Sequence, residues 1–194
     1  YGKQRQTKSI MQTVHPVSEF WIESKLDQEM MDYLWSQIKM ARETEKELED
    51  KLVGHITSSL TLPDTEGKLN DCVLESAKHL NYMYQPQFKI RELWVNFQKK
   101  YDFQPLHSHN GALSFVIWMK IPYKYEEEAK TTQTQSLSDG HLSGCFQMLY
   151  TSLLGTTKHF NYFLNPEYEG TMIVFPAPYQ HQVHPFYTSD EERI

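Results

Sequence analysis

Two hydrophobic periods divide the chain, and the first is that of a helix. Residues 24–51 carry apolar side chains at steps of three and four, the repeat of a helix with one buried face. The apolar residues of this stripe are Leu26, Met30, Leu34, Ile38 and Ala41. A Ser24-x-x-Asp27 sequence before them resembles a capping box. The pattern predicts a first helix, which Gly54 ends.

A second helix is predicted after a turn. Residues 63–67 combine proline, aspartate and glycine, which favour a turn, and Asn70 or Asp71 can cap the helix that follows. The apolar face of this helix consists of Val73, Ala77, Leu80 and Tyr84. The Gln85-Pro86 pair ends it, because proline lacks the backbone donor that a helix interior needs.

The second half of the chain alternates with a period of two, which is the period of β-strands. Leu93, Val95 and Phe97 alternate with other residues, and residues 113–121 do the same. Further short strands are predicted at residues 144–151, 159–163, 171–175 and 180–186. The exception is the polar stretch 124–143, which predicts a mobile surface loop.

Helices followed by strands predict an α+β fold, in which helices support one sheet of a sandwich or barrel. A length of 194 residues fits one domain. We therefore expect a single domain over residues 1–194, with mainly helical support over 1–89 and the β core over 90–194.

Composition narrows the class of partners. Lysine and arginine number 19 against 25 for aspartate and glutamate, and this net charge of −6 opposes nucleic-acid binding. No apolar run has the roughly 20 residues that cross a bilayer, and residues 1–16 contain no signal-peptide core. Two cysteines cannot form a disulfide framework, so a reducing cytoplasm is expected. Because the chain lacks an initial methionine and stops inside a predicted strand, we expect missing residues at either end.

Histidines carry the candidate chemistry. His107 and His109 are two residues apart, and in an extended chain this spacing places both imidazoles on one face. On the predicted strand 180–186, His181 shares a face with Val183 and points inward, whereas His184 points outward. Three inward histidines can hold a divalent transition metal with coordination positions left open. The alternative is a polar turn with two exposed histidines.

The order of these motifs resembles a known family. The run from His107 to Tyr123, the FPAPYQHQVHPF run over 175–186, and Glu192-Arg193-Ile194 are similar to 2-oxoglutarate and Fe(II)-dependent dioxygenases. Within them the similarity is to the prolyl-hydroxylase-like branch with its bacterial and phage members, and it covers about residues 90–194. The resemblance implies a double-stranded β-helix, or jelly roll.

The resemblance also assigns roles to residues. His107 matches the first iron ligand, His181 the distal ligand, and Arg193 the residue that binds the far carboxylate of 2-oxoglutarate. His109 stands where the family has a carboxylate ligand, so a three-histidine site is expected. A register that starts at His109 would instead leave a vacant position at Gly111. Arginine suits its role because its planar fork fits a carboxylate at two points.

What the resemblance implies for chemistry is a dioxygenase that hydroxylates a C–H bond. Its cofactor would be Fe(II), its cosubstrates 2-oxoglutarate and O2, and its reductant a compound such as ascorbate. Asn96, opposite in direction to Val95, could meet the metal pocket, the cosubstrate or the substrate, and a hydrogen bond at the edge of the core is an equal alternative. The primary substrate and the oligomeric state stay open.

Two other functions compete with this hypothesis. The Gly170, Pro176 and His181 spacing resembles the second cupin motif, which predicts a three-histidine metalloenzyme without 2-oxoglutarate. Pro178 departs from that motif. A non-catalytic β-sandwich that binds a partner is the other alternative, and it predicts neither tight metal binding nor decarboxylation of a 2-oxo acid.

Overall fold

The structure is a computed structural model that describes residues 21–46, 53–80, 88–131, 141–152 and 154–194. Its first helix, α1, spans Gln28–Thr44 and begins where the Asp27 carboxylate accepts a hydrogen bond from the backbone N–H of Met30. The helix ends at Glu45, which adopts a left-handed conformation with a φ of 47°. The predicted stripe is largely buried, but both predicted ends were wrong. Ser24 lies in a strand, and the helix stops well before Gly54.

The second helix, α2, spans Lys68–Ala77. Its first turn is capped from upstream, because the Asp64 carboxylate accepts hydrogen bonds from the backbone N–H groups of Leu69 and Asn70 at 3.2 and 2.9 Å. The predicted caps Asn70 and Asp71 instead lie within the helix. The predicted end of this helix, residues 84–86, lies outside the described residues.

The described residues also form nine strands, and all the pairings among these strands are antiparallel. In chain order they are β1 Ile22–Lys25, β2 Ser58–Thr61, β3 Trp94–Phe97, β4 Gln104–His107, β5 Leu113–Ile117, β6 Phe146–Thr151, β7 Thr157–Tyr162, β8 Thr171–Pro176 and β9 Gln180–Val183. One sheet has the order β1-β8-β5 and another the order β4-β9-β6-β7, while β2 pairs with β3.

Arg193 and Ile194 connect the β2-β3 pair to the first sheet. Arg193 exchanges two backbone hydrogen bonds with Gln98, just after β3. Ile194 bonds to the backbone of Met119 and Lys120, just after β5. These contacts make the three-stranded sheet and the β2-β3 pair neighbours in one layer. The second layer is the four-stranded sheet.

Three strands were not predicted, and two of them lie in the segment expected to be mainly helical. The strands β1, β2 and β4 are four residues each and largely polar in sequence, so no alternation marks them. The predicted strand 113–121 is shorter than expected and ends at Ile117. Residues 90–93, 184–186 and the start of the predicted strand at 144 also lie outside the observed strands.

The polar stretch 124–143 differs from a mobile loop at its start. Tyr125–Glu128 forms a helical turn, α3, and the Glu128 side chain is fully buried. That carboxylate accepts hydrogen bonds from the Ser143 hydroxyl and from the backbone N–H groups of Tyr187 and Thr188, at 2.6, 2.8 and 2.7 Å. A buried carboxylate is stable when donors surround it in this way. Residues 132–140 lie outside the described part.

Strand β8 separates two apolar clusters. Met172 and Val174 pack with α1, α2 and the β2-β3 pair, while Ile173 and Phe175 point to the other side, among side chains from β6, β7 and β9. The helices therefore cover one face of one sheet, and the second cluster fills the space between the two sheets. The fold is α+β, as predicted. We propose that the two clusters, which share β8, belong to one domain.

Candidate metal centre

Three histidines lie close together where β4 ends and β9 begins. His107 and His181 are directly opposite each other in the antiparallel pair, and His109 follows two residues after β4. One ligand atom from each ring lies within 4.8 Å of the others. The ring centroids are 4.3 Å apart for His107 and His181, 5.1 Å for His107 and His109, and 5.0 Å for His109 and His181. We call this group the histidine cluster.

Backbone carbonyls orient two of the rings. The His107 Nδ1 is 2.7 Å from the carbonyl oxygen of Pro105, and the His181 Nδ1 is 3.2 Å from that of Tyr179. A carbonyl oxygen only accepts, so each Nδ1 carries the proton and donates it. The lone pair of each ring is thereby assigned to Nε2, the atom left for a metal. This outer hydrogen bond is the usual support of a histidine ligand.

Burial lowers the pKa of two rings of the cluster, His109 and His181. Desolvation, followed by the proximity of His107, lowers the pKa of His181 to about 3. The same two causes, in the same order, lower the pKa of His109. Both rings are therefore unprotonated at neutral pH, which metal coordination requires.

The donor set fits a first-row transition metal. Imidazole nitrogens suit iron, zinc, copper and nickel, and three of them leave coordination positions open for other ligands. Among the described residues no carboxylate joins the cluster. The His107 and His109 rings both lie in the cluster with His181, whereas a register that starts at His109 would need only His109 and His181.

His184 lies apart from the histidine cluster. His184 is partly buried, and within the described part of the chain its Nε2 has no hydrogen-bond partner. Burial, and then the charge of Arg193, lowers its pKa. The prediction that His181 points inward is confirmed, since the His181 side chain is 3% exposed and contacts the other two rings. His184 is outside the cluster, but its Nε2 is shielded from solvent rather than exposed on an outer face.

Arg193 lies in a second polar site, which we call the Arg193 pocket. Its Nε donates to the Gln98 side-chain oxygen at 3.0 Å, and its Nη1 donates to the Tyr123 hydroxyl at 2.7 Å and to the Gly144 carbonyl at 3.4 Å. Its Nη2 donates to the His184 carbonyl at 3.2 Å. Arginine has five N–H donors, so four are engaged and one on Nη2 remains.

Aromatic rings line the same pocket. The guanidinium carbon lies 5.3 Å from the Phe186 ring centre and 5.8 Å from that of Tyr123, and the two rings stack on each other. Arg193 itself is 3% exposed. Burial raises the pKa of the Tyr123 phenol, which therefore stays a neutral donor and donates to the Gly144 carbonyl. The site is a buried cation with no carboxylate among its hydrogen-bond partners.

One face of β3 runs between the two sites. Val95 and Phe97 pack toward the helices, so Trp94, Asn96 and Gln98 point the other way. The Trp94 ring is 5.7 Å from that of His109, and Gln98 bonds Arg193. Asn96 stands between them, and its side-chain oxygen accepts a hydrogen bond from the Ser59 hydroxyl at 2.8 Å. We call these three side chains the β3 inner row.

Sequence reasoning missed part of this arrangement. The alternation of β3 could have identified Trp94 and Gln98 as companions of Asn96, since all three share one parity. No local signal identifies Tyr123, because it meets Arg193 across 70 residues of chain.

Comparisons with known proteins agree with this geometry. The family model described as "Putative 2OG-Fe(II) oxygenase" matches residues 92–194, more than half of the chain. A crystal structure of a prolyl-4-hydroxylase from Pseudomonas putida matches with a TM-score of 0.52 and 13% sequence identity. The match covers 90% of this chain and 88% of that chain, and it concerns the fold alone. A comparison with curated proteins found no match.

These findings confirm the family resemblance and the jelly-roll core. They favour the dioxygenase hypothesis over the cupin and β-sandwich alternatives. The family implies Fe(II) as cofactor and 2-oxoglutarate and O2 as cosubstrates. Among the described helices, none is both long and apolar enough to span a bilayer. The chain belongs to the family described as "Putative 2OG-Fe(II) oxygenase".

Proposed function

We propose that this protein is an Fe(II)- and 2-oxoglutarate-dependent hydroxylase whose metal ligands are His107, His109 and His181. The observation that carries the proposal is the juxtaposition of the histidine cluster with a buried arginine, joined by one strand face. A 2-oxo diacid needs a metal at one end and a cation at the other. Both groups are present on one side of β3.

The two sites lie at opposite ends of the β3 inner row. Trp94 and Gln98 are four residues apart on an extended strand, which is about 13 Å along the backbone at roughly 3.3 Å per residue. Trp94 contacts the histidine cluster and Gln98 contacts Arg193. An extended 2-oxo diacid would lie along the β3 inner row, with Asn96 beside its middle. We therefore retain Asn96 and Arg193 as binding residues for the cosubstrate.

The residues of the chain bind and orient rather than react. Three neutral imidazoles would leave the charge of a divalent metal uncompensated, and this charge favours a dianionic cosubstrate. The single unassigned N–H of Arg193 would meet the far carboxylate. Bound Fe(II), with 2-oxoglutarate and O2, supplies the oxidation, in which the oxo acid becomes succinate and CO2 and a C–H bond becomes C–OH.

The reductant and the compartment complete the proposal. We propose ascorbate as the reductant that keeps the metal in the Fe(II) state. Cys72 and Cys145 are free thiols, so the cytoplasm stays the proposed place of action. The primary substrate is a compound with a C–H bond that can reach the open side of the histidine cluster.

The test is turnover of 2-oxoglutarate by the iron-loaded protein. The chain is loaded with Fe(II) without oxygen, mixed with 2-oxoglutarate and ascorbate, exposed to O2, and analysed for succinate. We expect slow succinate formation without a primary substrate and faster formation when a candidate substrate is hydroxylated. A protein that binds iron but neither binds nor decarboxylates 2-oxoglutarate would contradict the proposal and favour a cupin-type activity.

A further inference from the structure

The side-chain nitrogen of Gln98 is a buried donor without a hydrogen-bond partner among the described residues. The residue is 5% exposed, and its side-chain Nε2 is shielded from solvent. In the part of the chain that the structure describes, this nitrogen has no hydrogen-bond partner. A buried amide N–H without a partner costs about 1–3 kcal/mol, so such groups in native proteins call for an explanation.

The orientation of this amide is fixed by its neighbour. Arg193 Nε donates to the Gln98 oxygen at 3.0 Å, and a guanidinium has no acceptor atom. If the oxygen and nitrogen of the Gln98 amide exchanged places, the amide NH2 would face the N–H of Arg193, and two donors would meet. The amide oxygen must therefore face Arg193. The NH2 group of Gln98 therefore points away from the guanidinium Nε and keeps both of its hydrogens.

The surroundings of Gln98 are suited to an anion. Arg193 brings a full positive charge, and the Tyr123 hydroxyl holds this guanidinium in place by accepting a hydrogen bond from its Nη1. No carboxylate among the described residues bonds this arginine. Gln98 also belongs to the β3 inner row, which leads from this pocket to the histidine cluster.

We propose that Gln98 is a specificity-determining residue, whose side-chain amide donates a hydrogen bond to the far carboxylate of the 2-oxo acid beside Arg193. This inference rests on the proposed function, because it concerns the same cosubstrate. Arg193 supplies the charge but has only one unassigned N–H, and Gln98 supplies donors that the arginine no longer has. Together they distinguish a 2-oxo diacid from a 2-oxo monoacid.

The first test compares two ligands in two variants. The full chain is loaded with Zn2+, and 2-oxoglutarate or 2-oxobutyrate, which lacks the far carboxylate, is titrated by calorimetry. Gln98→Met keeps the length of the side chain but removes the amide. We expect it to weaken 2-oxoglutarate by about 10-fold or more, as for a hydrogen bond to a charged group, and to leave 2-oxobutyrate within about 2-fold.

The matched control is Gln37→Met. Gln37 is an amide of similar burial, 3% exposed, and it bonds Thr65 on the helical side of the molecule. We expect this variant to lower the melting temperature without changing the affinity for either ligand. Comparable losses of 2-oxoglutarate affinity in both variants would show a general packing effect and would overturn the role of Gln98.

The second test observes the amide directly. Side-chain amide signals are recorded by 1H–15N NMR on the Zn2+-loaded protein, and the Gln98 pair is identified by its loss in Gln98→Met. On addition of 2-oxoglutarate we expect this pair to shift downfield and the Gln37 pair to stay in place. A residue that only holds Arg193 would leave the Gln98 NH2 signals unmoved, and this result would overturn the proposal.

The two proposals fail in different ways. If the wild-type protein binds metal but not 2-oxoglutarate, the proposed function is wrong and the role of Gln98 falls with it. If the wild type binds 2-oxoglutarate and Gln98→Met binds it equally well, only the role of Gln98 is wrong.

Discussion

The histidine cluster and the Arg193 pocket use their polar atoms in opposite ways. In the cluster, the Nδ1 of His107 and of His181 donates to a backbone carbonyl, and the other ring nitrogen is left for a metal. In the pocket, four of the five N–H groups of Arg193 donate hydrogen bonds to other residues of the protein. The histidine cluster therefore has free ligand atoms for a metal, whereas most donors of the Arg193 pocket are already bonded within the protein.

This difference separates binding from stability. Removing His107 or His181 deletes a metal ligand and, within the protein, one hydrogen bond to a backbone carbonyl. Removing Arg193 deletes a ligand-binding charge and also leaves the side-chain oxygen of Gln98 and the carbonyl of His184 without the donor that Arg193 supplies. The two sites should therefore respond differently to substitution, and each prediction below tests one side of this contrast.

The largest expected effect concerns the metal. His181→Ala removes the most deeply buried ring of the cluster, and loss of a direct ligand should exceed the 10- to 100-fold cost of losing a supporting group. We expect the affinity for Mn2+, titrated without oxygen, to fall by more than about 100-fold. His184→Ala, three residues along the chain, is the control and should retain the metal. Full iron occupancy in His181→Ala would remove His181 from the ligand set.

Arg193→Ala should affect the cosubstrate rather than the metal. A charge-assisted hydrogen bond contributes roughly 1.5–3 kcal/mol, so 2-oxoglutarate should bind about 10- to 150-fold more weakly. Metal affinity should hardly change, because Arg193 is outside the histidine cluster. We also expect a lower melting temperature, since the buried acceptors around Arg193 lose their donor.

Arg193→Lys sharpens this prediction. An ammonium restores the charge but not the planar arrangement of donors, so it should recover only part of the affinity. Calorimetry with metal-loaded protein measures both variants, after thermal melting has shown that they are folded. Equal affinity for 2-oxoglutarate in wild type and folded Arg193→Ala would place Arg193 in a purely structural role.

Glu128→Gln tests the support of the pocket from a distance. Glu128 holds Ser143, Tyr187 and Thr188, which flank the segments that carry Gly144 and His184. An amide NH2 in place of one oxygen would face donors, so we expect the free energy of unfolding to fall by about 1–3 kcal/mol. The affinity for 2-oxoglutarate should fall more than the affinity for metal.

The control for this variant is in the same helical turn. Glu127 is exposed, so Glu127→Gln should change neither stability nor binding. Urea unfolding and the two titrations provide the measurements. If Glu128→Gln lowered metal affinity and left 2-oxoglutarate unaffected, the link between α3 and the Arg193 pocket would be wrong.

The smallest effect is expected for Asn96→Ala. A neutral hydrogen bond contributes about 0.5–1.5 kcal/mol, which corresponds to a roughly 2- to 12-fold loss of affinity for 2-oxoglutarate. Ser59→Ala is the comparison, because it removes the partner of the Asn96 oxygen but keeps the amide. Identical titrations of both variants would indicate that Asn96 serves only the pairing of β2 with β3.

Much of the fold could be predicted from the sequence where the hydrophobic pattern extended over several residues. The apolar stripe of α1 and the alternation around β3 and β5 repeat, so a period is visible, and β8 is a continuous apolar run. The strands β1, β2 and β4 were missed because four mainly polar residues contain no period. Their extended form depends on pairing with β8, β3 and β9, which are distant in sequence.

The site divides in the same way. Residue chemistry and spacing by themselves determined the candidates His107, His109 and His181, because the pair of imidazoles and the alternation around His181 are local features. Arg193 became a candidate through the family resemblance. Only the tertiary structure decided that the Gln98 amide, the Tyr123 hydroxyl and the Gly144 carbonyl surround that arginine. A buried guanidinium must satisfy its donors wherever the packed chain presents oxygen atoms, and strand register rather than sequence proximity sets those positions.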